Sequence, residues 1–251
     1  MDHSNRMTNF RGVFPGAFTM GNMLCGFLSI VASHSNQLAR AAWLIVLAAF
    51  VDALDGRVAR LSGSTSKFGK ELDSLADVIS FGLAPAFMIY IAVLDNFEKM
   101  VGMVVAVVFI MCGASRLARY NVIADPHRKD AYVGLPIPTA AICISSYVIL
   151  CLQYFKEIRY PEFLVSMVVA LSALMISTVS YDTLPERFDS LENRWRMVGV
   201  FVFLVAVLIK PRLMIFPFVA LYIALGLLRE MWRILTGYRR TRKERTHDPE
   251  F

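Results

Sequence analysis

Charge is scarce in this sequence: only 18% of its 251 residues are Asp, Glu, Lys or Arg, where a soluble domain of that length carries about a quarter. With 57% of the residues hydrophobic, too little polar side chain remains to clothe an ordinary soluble globule. Cysteine is sparse as well. Cys25, Cys112, Cys143 and Cys151 lie inside apolar stretches without CxxC spacing, which excludes a disulfide framework and leaves them as small packing residues. The four histidines, His3, His34, His127 and His247, are scattered without ligand spacing, so zinc chemistry is not expected. Internal repeats and low-complexity linkers are missing, and the chain reads as one domain. No small-residue cleavage site follows the first apolar run, so that run is expected to be the first of several spans and not a removable signal.

What the sequence has instead is long apolar runs. Eight are apparent, at about 14–33, 39–60, 72–94, 100–118, 136–155, 161–181, 197–209 and 212–235, the seventh being short. Most are apolar on every face and close to the roughly 20 residues that cross a hydrocarbon core of about 30 Å. Lipid offers no water to the backbone, so helices are expected throughout. The fold class is therefore all-α, a polytopic transmembrane bundle of about eight spans. A cytoplasmic N-terminal segment covers 1–13, the membrane domain 14–235, and a basic tail 236–251. Eight spans put both termini on one side with most of the Lys and Arg, leaving Arg40, Lys99, Lys156, Arg159, Lys210 and Arg212 on the other. The positive-inside rule then makes both termini cytoplasmic, in the cell (inner) membrane. The tail cluster from Tyr238 to Arg245 is suited to anionic headgroups of membrane lipids, and no folded module surrounds it that would suggest nucleic acid.

The chemistry concentrates in residues 52–77. Asp52 and Asp55 are three apart on one helix face; Gly69, Asp73 and Asp77 are four apart and form a stripe on the next helix. Between them, Gly63 is a plausible helix stop and Ser66 a plausible N-cap. Antiparallel packing would gather four carboxylates near the cytoplasmic end. Such a cluster repels itself unless cations lie between its members, and carboxylate oxygens select hard ions such as Mg²⁺ or Mn²⁺. Four carboxylates suit a two-metal clamp for displacement at phosphorus. Gly56 and Ala59 leave room for a diphosphate against the backbone, and Arg60 can pair with it. A proton-relay cation transporter would also use membrane acids, but near mid-membrane on several helices instead of at one end.

The pattern Asp52-x2-Asp55-Gly56-x2-Ala59-Arg60-x8-Gly69-x3-Asp73-x3-Asp77 resembles, without a departure, the signature of the CDP-alcohol phosphatidyltransferase family. Eight fixed matches arise by chance on the order of 10⁻¹⁰ per start position if each residue type occurs at roughly one in fifteen, so coincidence is set aside. Further stretches are similar to the branch of that family whose acceptor is serine: Phe14 to Gly26 (departing at Gly16), Ser80 to Pro85, Arg116 to Asn121, and Gly134 to Pro138. The resemblance implies a helical membrane homodimer with a cytoplasm-facing polar cavity, two Mg²⁺ or Mn²⁺ ions, and CDP-diacylglycerol and L-serine as substrates. It implies Asp52 and Asp73 bridging the metals, Asp55 on one of them, and Asp77 on the other while serving as general base. Gly56, Arg60 and Ser66 would contact the CDP diphosphate, and Thr19 and Asn22 the nucleotide. Serine adds a carboxylate, for which Arg116 and Arg119 are the candidates on charge and position. Glycerol phosphate and inositol phosphate also need cations, and remain as alternative acceptors.

The charge asymmetry makes a direct prediction. Single cysteines at Ser64 and Asn96, in a background without native cysteines, should be labelled from opposite sides of the membrane. Labelling of both from outside intact cells would overturn the span count.

Overall fold

The computed structural model describes residues 4–62, 67–93, 99–123, 134–177, 179 and 210–236. Among these the backbone forms helices and no strands. The elements are α1 (Ser4–His34), α2 (Leu38–Ser62), α3 (Lys67–Asp77), a π-helical segment (Val78–Leu83), α4 (Ala84–Val93), α5 (Lys99–Ile123), α6 (Ile137–Tyr154), α7 (Pro161–Ile176) and α8 (Pro211–Leu235). Five stretches are long and apolar enough to cross a membrane: Gly16–His34, Phe68–Val93, Met100–Val122, Ile137–Tyr154 and Pro211–Trp232. At 25 residues α2 has the length, but it carries Arg40, Asp52, Asp55, Arg57 and Arg60. With 16 residues, α7 rises about 24 Å, short of the hydrocarbon thickness. The expected span at 197–209 lies outside the described residues.

Several boundaries differ from expectation for identifiable reasons. The first helix starts at Ser4, inside the polar segment set apart at 1–13, because a helix protruding from a bilayer can carry polar side chains. The third apolar run extends back to Lys67, so α3, the π segment and α4 make one continuous rod bearing Asp73 and Asp77 in its first turns. The seventh helix stops at Ile176, short of 181, where neighbouring groups capture its last carbonyls: the Leu135 N–H donates to Leu174 O (3.1 Å), and Arg119 donates to Met175 O and Ile176 O.

The first two helices form a tight hairpin. Gln37 N–H donates to Ala32 O (2.8 Å) and Asn36 N–H to Ser33 O (2.9 Å), with Asn36 at φ 56°. This is a Schellman closure with asparagine in the left-handed position, which satisfies the end of α1 and turns the chain at once into α2. The face that α1 turns inward is small and polar: Thr19, Asn22, Gly26, Ser29 and Ser33, at alternating spacings of three and four, are all buried. Small residues allow helices to approach closely where lipid supplies no hydrophobic drive. Ser29 Oγ donates to Ala41 O on α2 (2.9 Å), and Ala41, Ala42, Ala48 and Ala49 line α2 inside the bundle.

Gly26 faces the π segment directly. A Cβ there would collide with the Ser80 hydroxyl and lie 2.7 Å from the Ser80 Cα. A π turn inserts an extra residue and shifts the helical faces, here placing buried Ser80 against α1 immediately after Asp77. Farther along the chain, α6 is buried along most of its length, with Ile137, Ile144 and Val148 fully covered, whereas Phe27, Phe50, Met111, Leu225 and Trp232 are exposed on the outside. A sheath of exposed large apolar side chains around a packed interior is the arrangement that lipid solvation calls for.

The α1 contact is testable. Gly26→Ala should lower the thermal stability of the detergent-solubilised protein by about 1–3 kcal/mol, because backbone must yield to the new methyl group. Gly16→Ala, where an added Cβ meets nothing within 4 Å, should be near neutral. Equal melting temperatures for the two variants would contradict the close packing of α1 on the π segment.

Candidate active site

The carboxylates come from two helices joined through residues 63–66. Both helices pack on α1, and the acids of α2 and α3 meet beside it. One oxygen each from Asp52, Asp73 and Asp77 lies within 4.8 Å of the others. Asp52 and Asp73 are half-buried, while Asp55 and Asp77 are buried. Two like charges at 4.8 Å repel by about 3.5 kcal/mol at an effective dielectric of roughly 20, and three such pairs act at once.

The fourth acid sits slightly apart. Asp55 Oδ2 accepts a 2.5 Å hydrogen bond from Thr19 Oγ1, and Asp55 Oδ1 is buried with no hydrogen-bond partner among the described residues. Asp55 remains within electrostatic range of Asp52 and Asp73. An all-oxygen set of carboxylates, with one buried carboxylate oxygen lacking a donor, fits a hard divalent cation such as Mg²⁺ or Mn²⁺. Asp52, Asp73 and Asp77 could hold such an ion, with Asp55 beside them.

The inner face of α1 supports these acids. Asn22 is fully buried, and its Nδ2 donates to Asp77 Oδ1 at 3.3 Å. Ser80 Oγ in turn donates to the Asn22 backbone carbonyl at 2.8 Å. Thr19 and Asn22, expected to face the nucleotide, are thus found bonded to two of the aspartates. The signal available in the sequence was the three-four spacing of small and polar residues on α1, which marks a buried seam independently of any motif.

Helix α5 closes the other flank. Arg116 is only 6% exposed and within electrostatic range of Asp77, so it lies inside the bundle and does not snorkel to headgroups. Arg119, one turn on, gives NH1 to Ile176 O and NH2 to Met175 O, both at 3.1 Å, which ties it to the end of α7. Asn121 Nδ2 donates to Ser74 Oγ (2.8 Å), whose hydroxyl donates to Lys70 O (3.1 Å), and the Lys70 ammonium stands 5.8 Å from the Tyr120 ring centre. Asn121 and Ser80 belong to the motif stretches noted in the sequence but were given no role there, and Ser74 was not singled out.

Gly56 is exposed, and among the described residues a Cβ there would meet nothing within 4 Å. The backbone at Arg60 belongs to α2, but its side chain lies outside the described residues, as does Ser66.

Comparison with known proteins identifies the family. The model of the CDP-alcohol phosphatidyltransferase family matches residues 12–179. The chain is 38% identical over 221 residues to a CDP-diacylglycerol–serine O-phosphatidyltransferase of Helicobacter pylori, an alignment covering 86% of this chain and 90% of that protein. It is 38% identical over 183 residues to an archaetidylserine synthase of Methanothermobacter thermautotrophicus, covering 72% and 74% of the two chains. A CDP-diacylglycerol–serine O-phosphatidyltransferase of Mycobacterium leprae is 32% identical over 231 residues, covering 88% of this chain and 75% of that one. All four acids, the α1 seam and the α5 arginines lie within the matched residues, and the chain belongs to the CDP-alcohol phosphatidyltransferase family.

Proposed function

We propose that this protein transfers a phosphatidyl group from CDP-diacylglycerol to L-serine, giving phosphatidylserine and CMP. The observation that carries the proposal is the set of Asp52, Asp73 and Asp77 oxygens within 4.8 Å of one another, beside Asp55. Serine is the acceptor element common to the names of the three relatives. Arg116, a buried cation near Asp77, suits an acceptor that brings its own carboxylate.

In this scheme Asp52, Asp55, Asp73 and Asp77 hold two Mg²⁺ or Mn²⁺ ions. When bound, the ions neutralise charge on the diphosphate and stabilise the departing phosphate oxygen. Gly56 leaves room for the diphosphate, with Arg60 and Ser66 contacting it. Arg116 holds the serine carboxylate. Asp77 accepts the proton of the serine hydroxyl as that oxygen bonds to the lipid-bearing phosphorus. The bond from this phosphorus to the oxygen of CMP breaks, and CMP carries away the electron pair. The bundle spans the inner membrane about eight times with both termini and this site cytoplasmic, and it works as a homodimer. The distribution of basic residues supports the orientation.

Two experiments test the scheme. With CDP-diacylglycerol, serine and Mn²⁺ in detergent, Asp77→Asn should lower CMP release by about 10²–10⁴-fold. Asn variants of Asp52, Asp55 and Asp73 should also lose turnover while remaining folded, and Glu162→Gln, an exposed change on α7, should not. Near wild-type activity in Asp73→Asn would sink the carboxylate site.

The arginines should separate by variant. Arg116→Lys keeps the charge but loses the bidentate fork, so the KM for serine should rise by the equivalent of roughly 1–3 kcal/mol while that for CDP-lipid changes little. Arg119→Lys, which loses bonds to the α7 carbonyls, should mainly lower the melting temperature. An unchanged serine KM in Arg116→Lys would leave the acceptor carboxylate without this partner.

A further inference from the structure

Asn22 presents an unfinished hydrogen-bonding arrangement. One end of its amide is committed, since Nδ2 donates to Asp77 Oδ1. As a ligand of a cation Asp77 is ionised and can only accept, which is the arrangement that turns the amide nitrogen towards it. The other end, Oδ1, is buried with no hydrogen-bond partner among the described residues, although the residue as a whole is fully covered. Leaving a buried carbonyl unmatched costs about 1–3 kcal/mol, and such groups in native proteins call for an explanation. The amide is also held rigidly: Ser80 Oγ bonds its backbone carbonyl, and Gly26, one turn on, lets α1 approach the π segment. This is a preorganised acceptor with its donor still to come.

We infer that Asn22 Oδ1 receives the ammonium group of the amino-alcohol acceptor, making Asn22 the residue that distinguishes serine from hydroxyl acceptors without an amine. The inference rests on serine being the acceptor. In serine the hydroxyl and ammonium are on adjacent carbons, so a molecule with its hydroxyl at Asp77 brings its ammonium beside the amide bonded to that same carboxylate. Arg116, within electrostatic range of Asp77, would meet the serine carboxylate. Glycerol phosphate and inositol phosphate carry no amine and would leave Oδ1 unmatched. Sites built around such a polar contact reject analogues that lack the group far more strongly than apolar pockets do.

The test compares L-serine with 3-hydroxypropionate, which has hydrogen in place of the ammonium group. The full-length protein in detergent, with CDP-diacylglycerol and Mn²⁺, is assayed for CMP release, and 3-hydroxypropionate is used as a competitive inhibitor if it is not turned over. Wild type should favour serine by at least about tenfold. Asn22→Ala also removes the bond to Asp77, so turnover of both compounds should fall, but serine should lose about tenfold more and the preference should shrink by that factor. A parallel loss for both compounds would reduce Asn22 to a prop for Asp77 and overturn the inference. If Asn22→Ala does not fold, wild type decides alone: equal use of the two compounds overturns the inference. Wild-type CMP release with glycerol phosphate but not with serine would remove the serine reading itself, and the role of Asn22 with it.

Discussion

Mutual repulsion among the carboxylates of Asp52, Asp73 and Asp77, gathered within 4.8 Å, is the constraint to which the rest of the structure answers. Left to themselves, the ends of α2 and α3 would spread apart. Packing elsewhere on the same helices opposes that, through the closely fitted α1–α2 hairpin and the contact of Gly26 with Ser80. The apolar rod from α3 to α4 is anchored by fully buried Phe81, Met88 and Ile89, so the acids at its start cannot swing away without disturbing the bundle. Stability built up in the apolar body is thus used to hold an unfavourable cluster of charge, which is what a cation-binding site requires before its cation arrives.

The π segment lets one rod serve both purposes. An uninterrupted α-helix would carry the face bearing Asp73 and Asp77 straight into the apolar section. The extra residue after Asp77 changes the phase, so that Ser80 meets α1 and bonds Asn22, the same residue that holds Asp77. Backbone irregularity, seam and Asp77 are therefore one mechanical unit. Its cost is an incompletely satisfied amide, which in the proposed function becomes a contact for substrate.

The two arginines of α5 show how one turn of helix separates chemistry from architecture. Both are three residues apart on a helix that runs past the site. Arg116 is buried beside the acids, and Arg119 spends two donors on the open carbonyls of α7. A shortened α7 makes sense in that light, because the carbonyls exposed at its end are those that Arg119 and Leu135 satisfy. Asn121 then ties α5 to Ser74 between two of the acids, which closes the ring of helices around the site.

Much of this was legible in the amino-acid order. Long runs apolar on every face demanded helices, and the spacing of Asp52, Asp55, Asp73 and Asp77 placed each pair on one helical face, because helical period and side-chain polarity are local properties. The family pattern was equally local. Partner choice was not. Thr19 and Asn22 were expected at the nucleotide, and Arg119 was expected beside Arg116 as an acceptor contact. What the sequence did not show is that the bundle brings Asn22 to Asp77 across 55 residues of chain and Arg119 to Met175 across 56. Which long polar side chain meets which acid or carbonyl depends on helix approach distance, on the phase shift after Asp77, and on where α7 stops. Those quantities are set by packing between distant segments, so only the tertiary structure could decide them.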